Sequence, residues 1–121
     1  MPQFHHERLL VYQRGIQFAA FADALINGVH GIRVDLRDQL MRASTSIPLN
    51  IAEGSGEFAR AEKGRFYRIA RRSATECAAI LDLLRTLGVV DVSRLEPGRM
   101  LLDELVAMLT VMAMPERRKE G

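Results

Sequence analysis

Apolar residues recur every three or four positions in four stretches of the chain, the spacing of amphipathic helices. The stretches cover about 6–26, 35–54 and 61–87, followed by a fourth that ends near 112. Short, mostly glycine-containing links separate them. Because short links join antiparallel neighbours, the pattern predicts an all-α fold, an antiparallel up-and-down four-helix bundle.

Three of the four predicted helices have one clear inward face. Each combines apolar positions spaced by three and four residues, the spacing of a core-facing stripe. The predicted core positions of helices two, three and four are Leu36, Leu40, Ala43, Ile47 and Ile51, then Phe66, Ile69, Ala70, Ser73, Cys77, Ile80, Leu81, Leu84 and Leu87, then Leu101, Leu105, Met108, Leu109 and Met112.

The first helix is apolar on two sides. One stripe, predicted to face the core, comprises Leu9, Tyr12, Ile16, Ala19 and Ala20. The second stripe comprises Leu10, Phe18, Phe21 and Leu25. A helix that is apolar on two faces is normally buried on both, so the second stripe predicts a contact with another subunit. The alternative is a scatter of surface hydrophobic residues, which is common in soluble proteins.

Local sequence signals predict one start for the second helix and two different starts for the fourth. Asp35 is the predicted N-cap of the second helix. Pro48 falls within that helix, where it removes one backbone hydrogen bond, so a proline-bent second helix is expected. For the fourth helix, Ser93 with Glu96 resembles a capping box, whereas Pro97 favours a later start.

Length and composition limit the class of protein. A chain of 121 residues builds one core, so residues 1–115 are predicted to form a single bundle domain and 116–121 a charged, disordered tail. The apolar runs are too short to span a bilayer, and no signal peptide is recognisable, so a cytoplasmic protein without membrane contact is expected. The single Cys77 agrees with a reducing compartment.

A run of cations at the start of the third helix is the strongest local chemical signal, although the net charge is only +2. The run comprises Arg60, Lys63, Arg65, Arg68, Arg71 and Arg72. Arg65, Arg68 and Arg72 share one edge of the helix, where guanidinium groups can bind successive phosphates. These side chains are therefore candidates for RNA or DNA binding. The alternative is a solvated helix face, or pairing with acids such as Glu76.

A second group of polar residues falls on inward-leaning positions of helices two and three. It comprises Arg42, Asn50, Glu53, Ser73 and Glu76. No Glu-x-x-His pair accompanies it, so a structural network that sets helix register is favoured over a metal site. Cys77 and the serines lack a histidine at useful spacing and no phosphate-binding glycine loop is present, so neither catalysis nor a cofactor is expected.

The run QLMRASTSIPLNIAEG, followed by GRFYRIARRSATE, with VYQ in helix one and ELVAML in helix four, resembles a bacterial family of small four-helix bundles. The family is named for proteins encoded in intervening sequences of 23S ribosomal RNA genes and includes accessory proteins of diversity-generating retroelements. The resemblance covers about 12–109. It implies a homopentameric barrel of bundles with no known catalytic activity, and RNA and reverse-transcriptase binding in the retroelement members.

Two functional hypotheses follow. The first is a non-enzymatic oligomeric scaffold, homopentameric by resemblance, that presents surfaces to a protein partner. The second is an accessory protein that binds RNA or DNA through the arginines of the third helix.

Overall fold

Residues 5–114, which the computed structural model describes, form four α-helices after one short 3-10 turn. The turn, His5–Arg8, is followed by α1 (Leu10–Gly28), α2 (Val34–Ser55), α3 (Arg60–Thr86) and α4 (Val92–Met112). Each helix packs against two neighbours, in the circular order α1, α2, α3, α4. The predicted all-α four-helix bundle is confirmed. The predicted charged tail, 116–121, lies outside the described residues.

Contacts between helices show that neighbours run antiparallel. As the position advances along α1, the contacted position in α4 recedes, since Arg14 pairs with Glu104 and Phe21 lies against Gly98. The same order holds in the pairs Arg71–Thr110 and Asp82–Arg99 for α3 with α4, and Ser46–Ser73 and Arg42–Glu76 for α2 with α3. The predicted up-and-down topology follows from these pairs.

The inward faces predicted for α2, α3 and α4 supply half of the buried core residues among those described. All five positions predicted for α2 are buried. In α3 and α4 the buried members of the predicted stripes are Ala70, Cys77, Ile80, Leu81, Leu84, Leu105 and Leu109. Phe66, Ile69, Ser73, Leu101, Met108 and Met112 are half-buried, and Leu87 is exposed just after α3 ends.

The prediction for the two faces of α1 holds only in part, since Leu9 and Tyr12 pack against the core as predicted, whereas other members of both stripes do not follow it. Phe18 and Leu25, predicted to contact another subunit, are 0% and 1% exposed and lie in the core of the bundle itself. Phe21 is half-buried, with its ring against Gly98 of α4. Leu10 is therefore the one member of the predicted interface stripe whose side chain is largely exposed. Ile16, predicted to face inward, is exposed.

Close packing explains this orientation of α1. Gly15 faces α2, where a Cβ atom would make ordinary van der Waals contact, at 3.4–3.5 Å, with Ile47, Pro48 and Ile51. The contact between the two helices therefore has no room for a side chain larger than a methyl group at this position. With Gly15 against α2, the helical spacing turns Phe18 inward and Ile16 outward.

The ends of two helices differ from the prediction. α2 begins at Val34 with Arg33 in the N-cap position, so Asp35 lies inside the first turn, where its carboxylate binds the Arg33 side chain at 2.9 and 3.0 Å. This bond lowers the pKa of Asp35. α4 begins at Val92, before both predicted starts, and includes Pro97.

Pro48 within α2 and Gly88 after the end of α3 are two positions where the residue type bears on the backbone conformation. α2 continues without a break through Pro48, and the predicted bend stays a prediction. α3 ends in a Schellman motif, in which the Val89 amide donates to the Leu84 carbonyl and the Gly88 amide to that of Arg85. Gly88 adopts φ +71°, a conformation that favours glycine.

Candidate interaction surfaces

The predicted basic edge exists on the outer side of α3. Arg65, Arg68 and Arg72 are all exposed, at spacings that place them on one side of the helix. Arg68 and Arg72 also line a shallow groove together with Arg71, Thr75 and Glu76. The structure therefore brings these arginines together on one surface.

Arg65 is partly neutralised by its neighbours. Its guanidinium donates to both carboxylate oxygens of Glu62 at 3.0–3.2 Å and lies over the Phe66 ring, 4.5 Å from the ring centroid. The hydrogen bonds from Arg65 lower the pKa of Glu62. Arg65 is thus held in place on α3, and its charge is less available to a phosphate than that of an unpaired arginine.

The remaining cations of the run have different roles. Lys63 donates to the carbonyl oxygens of Gly54 and Ser55 at 3.1 and 3.3 Å, and so caps the end of α2. Arg71 donates to Thr110 Oγ1 at 2.7 Å, which ties α3 to α4. Arg60 is exposed at the first turn of α3.

Arg68 and Arg72 are the cations of this run best suited to an external ligand. Within residues 5–114, neither side chain has an ion pair or a hydrogen bond to another residue. An anion would therefore not have to displace a partner to reach either guanidinium.

The predicted polar network forms a seam between α2 and α3, with Ser46 at its centre. Ser46 Oγ accepts hydrogen bonds from Ser73 at 2.9 Å and from Asn50 at 2.9 Å, and Asn50 also donates to the Ser46 carbonyl. Arg42 pairs with Glu76 at 3.5 Å. Sequence analysis missed Ser46, although its position four residues before Asn50 was the available signal.

Glu53 takes no part in this seam. It is exposed near the end of α2 and, among the described residues, makes no bond to the other members. The seam runs from the partly buried contact between α2 and α3 out to solvent. Ser46, Asn50 and Ser73 are half-buried, whereas Arg42 and Glu76 are exposed. Its geometry suits fixing the register of α2 against α3.

An uncharged surface covers the solvent side of the contact between α1 and α2. We call it the α1–α2 face and define it by Tyr12, Ile16 and Ala20 of α1 and Met41, Thr45 and Leu49 of α2, each set spaced by four residues. Ile16, Met41 and Leu49 are 45%, 45% and 64% exposed. In sequence, the signal for this face was the apolar residues of α2 that fall outside its inward stripe.

Three features of the described residues bear on reactivity, metal binding and membrane insertion. Burial, and then the charge of Glu76, raise the pKa of the Cys77 thiol to about 12, so a reactive thiolate does not form near neutral pH. Across residues 5–114, no three side chains of the metal-binding types lie together. None of the helices seen there combines the length and apolarity of a membrane span.

Comparison with known proteins connects this fold to a family. A crystal structure of a protein of unknown function from the S23 ribosomal protein family of Bacteroides thetaiotaomicron VPI-5482 is similar, with a TM-score of 0.81 and 23% sequence identity. The match covers 88% of this chain and all of that one, and at this identity it shows the shared fold alone. No curated protein sequence matches the chain. The family model described as 23S rRNA-intervening sequence protein matches residues 7–111, so the chain belongs to that family.

Proposed function

We propose that this protein is a non-catalytic scaffold that self-associates through the α1–α2 face. The observation that carries the proposal is the row of exposed Ile16, Met41 and Leu49 on adjacent helices. The outer side of a helix in a monomeric bundle is normally polar, and contiguous exposed apolar surface marks interaction sites. The resemblance of the chain to its family implies a ring of five copies.

The α1–α2 face replaces the stripe predicted from sequence. Phe18 and Leu25 cannot contact a second copy, because the bundle core already covers them. Ile16 and Leu49 flank the close contact between Gly15 and Pro48 and have free surface to bury. Burying apolar area contributes about 25 cal/mol per Å², so several such side chains per contact favour association.

Sedimentation equilibrium tests this proposal. The wild-type protein is expected to show a mass that is a multiple of 13.6 kDa at micromolar concentration. Ile16→Glu combined with Leu49→Glu places carboxylates in the contact and is expected to yield a single folded subunit with an unchanged helical circular dichroism spectrum. Leu83→Glu, an exposed position on α3, is the matched control and should leave the mass unchanged. A wild-type protein of 13.6 kDa would contradict the proposal.

A second candidate function, RNA or DNA binding, is supported by Arg68 and Arg72, which are exposed and make no ion pair with any other residue between positions 5 and 114. Reversing both charges to Glu is expected to weaken binding of a labelled RNA hairpin and to reduce the slope of log K against log salt by about one to two, because two phosphate contacts are lost. Arg85→Glu, at the far end of α3, is the control. The candidate fails if wild-type protein does not bind the hairpin at low salt, or if all three proteins bind equally.

A further inference from the structure

An apolar groove runs between the start of α1 and the end of α4, away from the α1–α2 face. It is lined by Leu9, just before α1, by Leu10 and Val11 of α1, and by Ala107, Met108, Val111 and Met112 of α4. Leu10 and Val111 are 51% and 69% exposed. The His5–Arg8 turn packs on α1 and α2, so within the described residues it leaves this groove uncovered.

The two ends of the groove differ in charge. Toward the middle of the bundle lie Arg14 and Glu104, one helical turn from Leu10 and Met108, and they neutralise each other in an ion pair of 2.7 Å. At the other end, Met112 also lines a second groove, between α3 and α4. The two grooves therefore adjoin at Met112.

The second groove is cationic. Arg60, Lys63 and Arg68 line it, and no carboxylate among the described residues does. The Arg68 guanidinium lies beside Gly64 in this groove, since a Cβ atom on Gly64 would be 3.2 Å from Arg68 Nη1. Together the two grooves present an apolar trough with cations at one end.

We propose that this combined surface binds an amphipathic helix of a partner protein whose apolar stripe is flanked by acidic residues. Apolar side chains at helical spacing fit a trough between two helices, and the methionines in its wall adapt to their shape. Carboxylates on the bound helix would reach Arg68 and its neighbours, which gives electrostatic complementarity. A nucleic acid needs cations along its whole path, whereas no cation among residues 5–114 lines the apolar groove. A lipid bilayer is flat, so its shape does not fit two concave grooves.

This inference deepens the proposed scaffold function, since it names the kind of partner that the scaffold holds. It uses a different surface from self-association, so the two proposals fail separately. The groove wall on α4 from Ala107 to Met112 spans about 8 Å at 1.5 Å per residue, and the cationic groove adjoins it at Met112. A bound helix of two to three turns spans the apolar wall and reaches that junction.

Fluorescence anisotropy with a labelled synthetic peptide tests the proposal. The probe is a helical peptide of about 14 residues with Leu at helical spacing and Glu on both flanks, and its matched control carries Lys in place of Glu. The wild-type protein is expected to bind the Glu peptide at least about tenfold more tightly than the Lys peptide. Added salt should reduce the ratio of the two dissociation constants, because it screens the charges.

Substitutions locate the binding surface. Val111→Glu is expected to weaken binding of the Glu peptide about tenfold or more, because it places a carboxylate in the trough. Met100→Glu, an exposed position on the same helix, is the control and should bind normally. The Arg68→Glu protein should lose most of its preference for the Glu peptide over the Lys peptide. The Arg72→Glu protein, changed one turn away, should keep that preference.

Several results would overturn the proposal. They are absence of binding by either peptide, equal binding of both peptides by the wild-type protein, and binding that Val111→Glu does not reduce. Binding to phosphatidylglycerol vesicles that depends on Val111, without peptide binding, would assign the surface to a membrane instead. A change in the sedimentation mass of Val111→Glu would assign it to a second copy, whereas loss of self-association by Ile16→Glu with Leu49→Glu should leave peptide binding intact.

Discussion

Phe18→Ala is expected to destabilise the bundle by about 3–5 kcal/mol, the range for removing a fully buried aromatic side chain. Phe18 is 0% exposed, and its ring lies 5.8 Å from that of Phe21. The change removes apolar contacts and leaves a cavity that α1 cannot close, because the contact of Gly15 with α2 holds the helix in place. The free energy of unfolding is measured by urea denaturation followed by circular dichroism.

Leu10→Ala is the matched control for Phe18→Ala. Both residues belong to the same apolar stripe in sequence, but Leu10 is about half exposed. Its truncation is expected to cost less than about 1 kcal/mol. If the two substitutions cost the same, the placement of Phe18 in the core and of Leu10 at the surface would be wrong.

Gly98→Ala is expected to destabilise the protein by about 1–3 kcal/mol, the range for overpacking a well-filled contact. A Cβ atom on Gly98 would overlap the Phe21 ring, which lies directly against this part of α4. The ring would have to leave its place between α1 and α4. This cost opposes the gain of up to about 1 kcal/mol that alanine brings to a helix interior.

A second background makes this prediction specific to Phe21. In a Phe21→Ala protein the overlap is absent, so Gly98→Ala is expected to become neutral or stabilising by up to about 1 kcal/mol. Urea midpoints of the four proteins give the coupling energy. Equal effects of Gly98→Ala in both backgrounds would show that the Phe21 ring does not occupy this contact.

The contact between Gly98 and Phe21 also shows where reasoning from sequence ends. In sequence, Pro97 favours a helix start, yet Pro97 and Gly98 both lie inside α4. The close contact at Gly98 comes from the Phe21 ring on another helix, 77 positions away, which no local signal describes. Asp35 lies in the first turn of α2, where its carboxylate binds the Arg33 side chain.

The candidate surfaces were predictable to different degrees. The spacing of Arg65, Arg68 and Arg72 correctly indicated one shared edge, since residues three and four apart are neighbours on any helix. Which of them are unpaired depends on rotamers and on contacts, such as that of Arg65 with Glu62. The apolar groove ending at Met112 joins residues of α1 and α4, so its existence depends on helix packing.

The sequence by itself determined the number of helices, their antiparallel order and the inward faces of α2 and α3. These follow from apolar periodicity and short links, which are local properties of the chain. Only the tertiary structure decided which side of α1 is buried and which apolar residues remain at the surface. The physical reason is that burial depends on how closely two helices approach, and at Gly98 the absent side chain leaves the room that the Phe21 ring occupies.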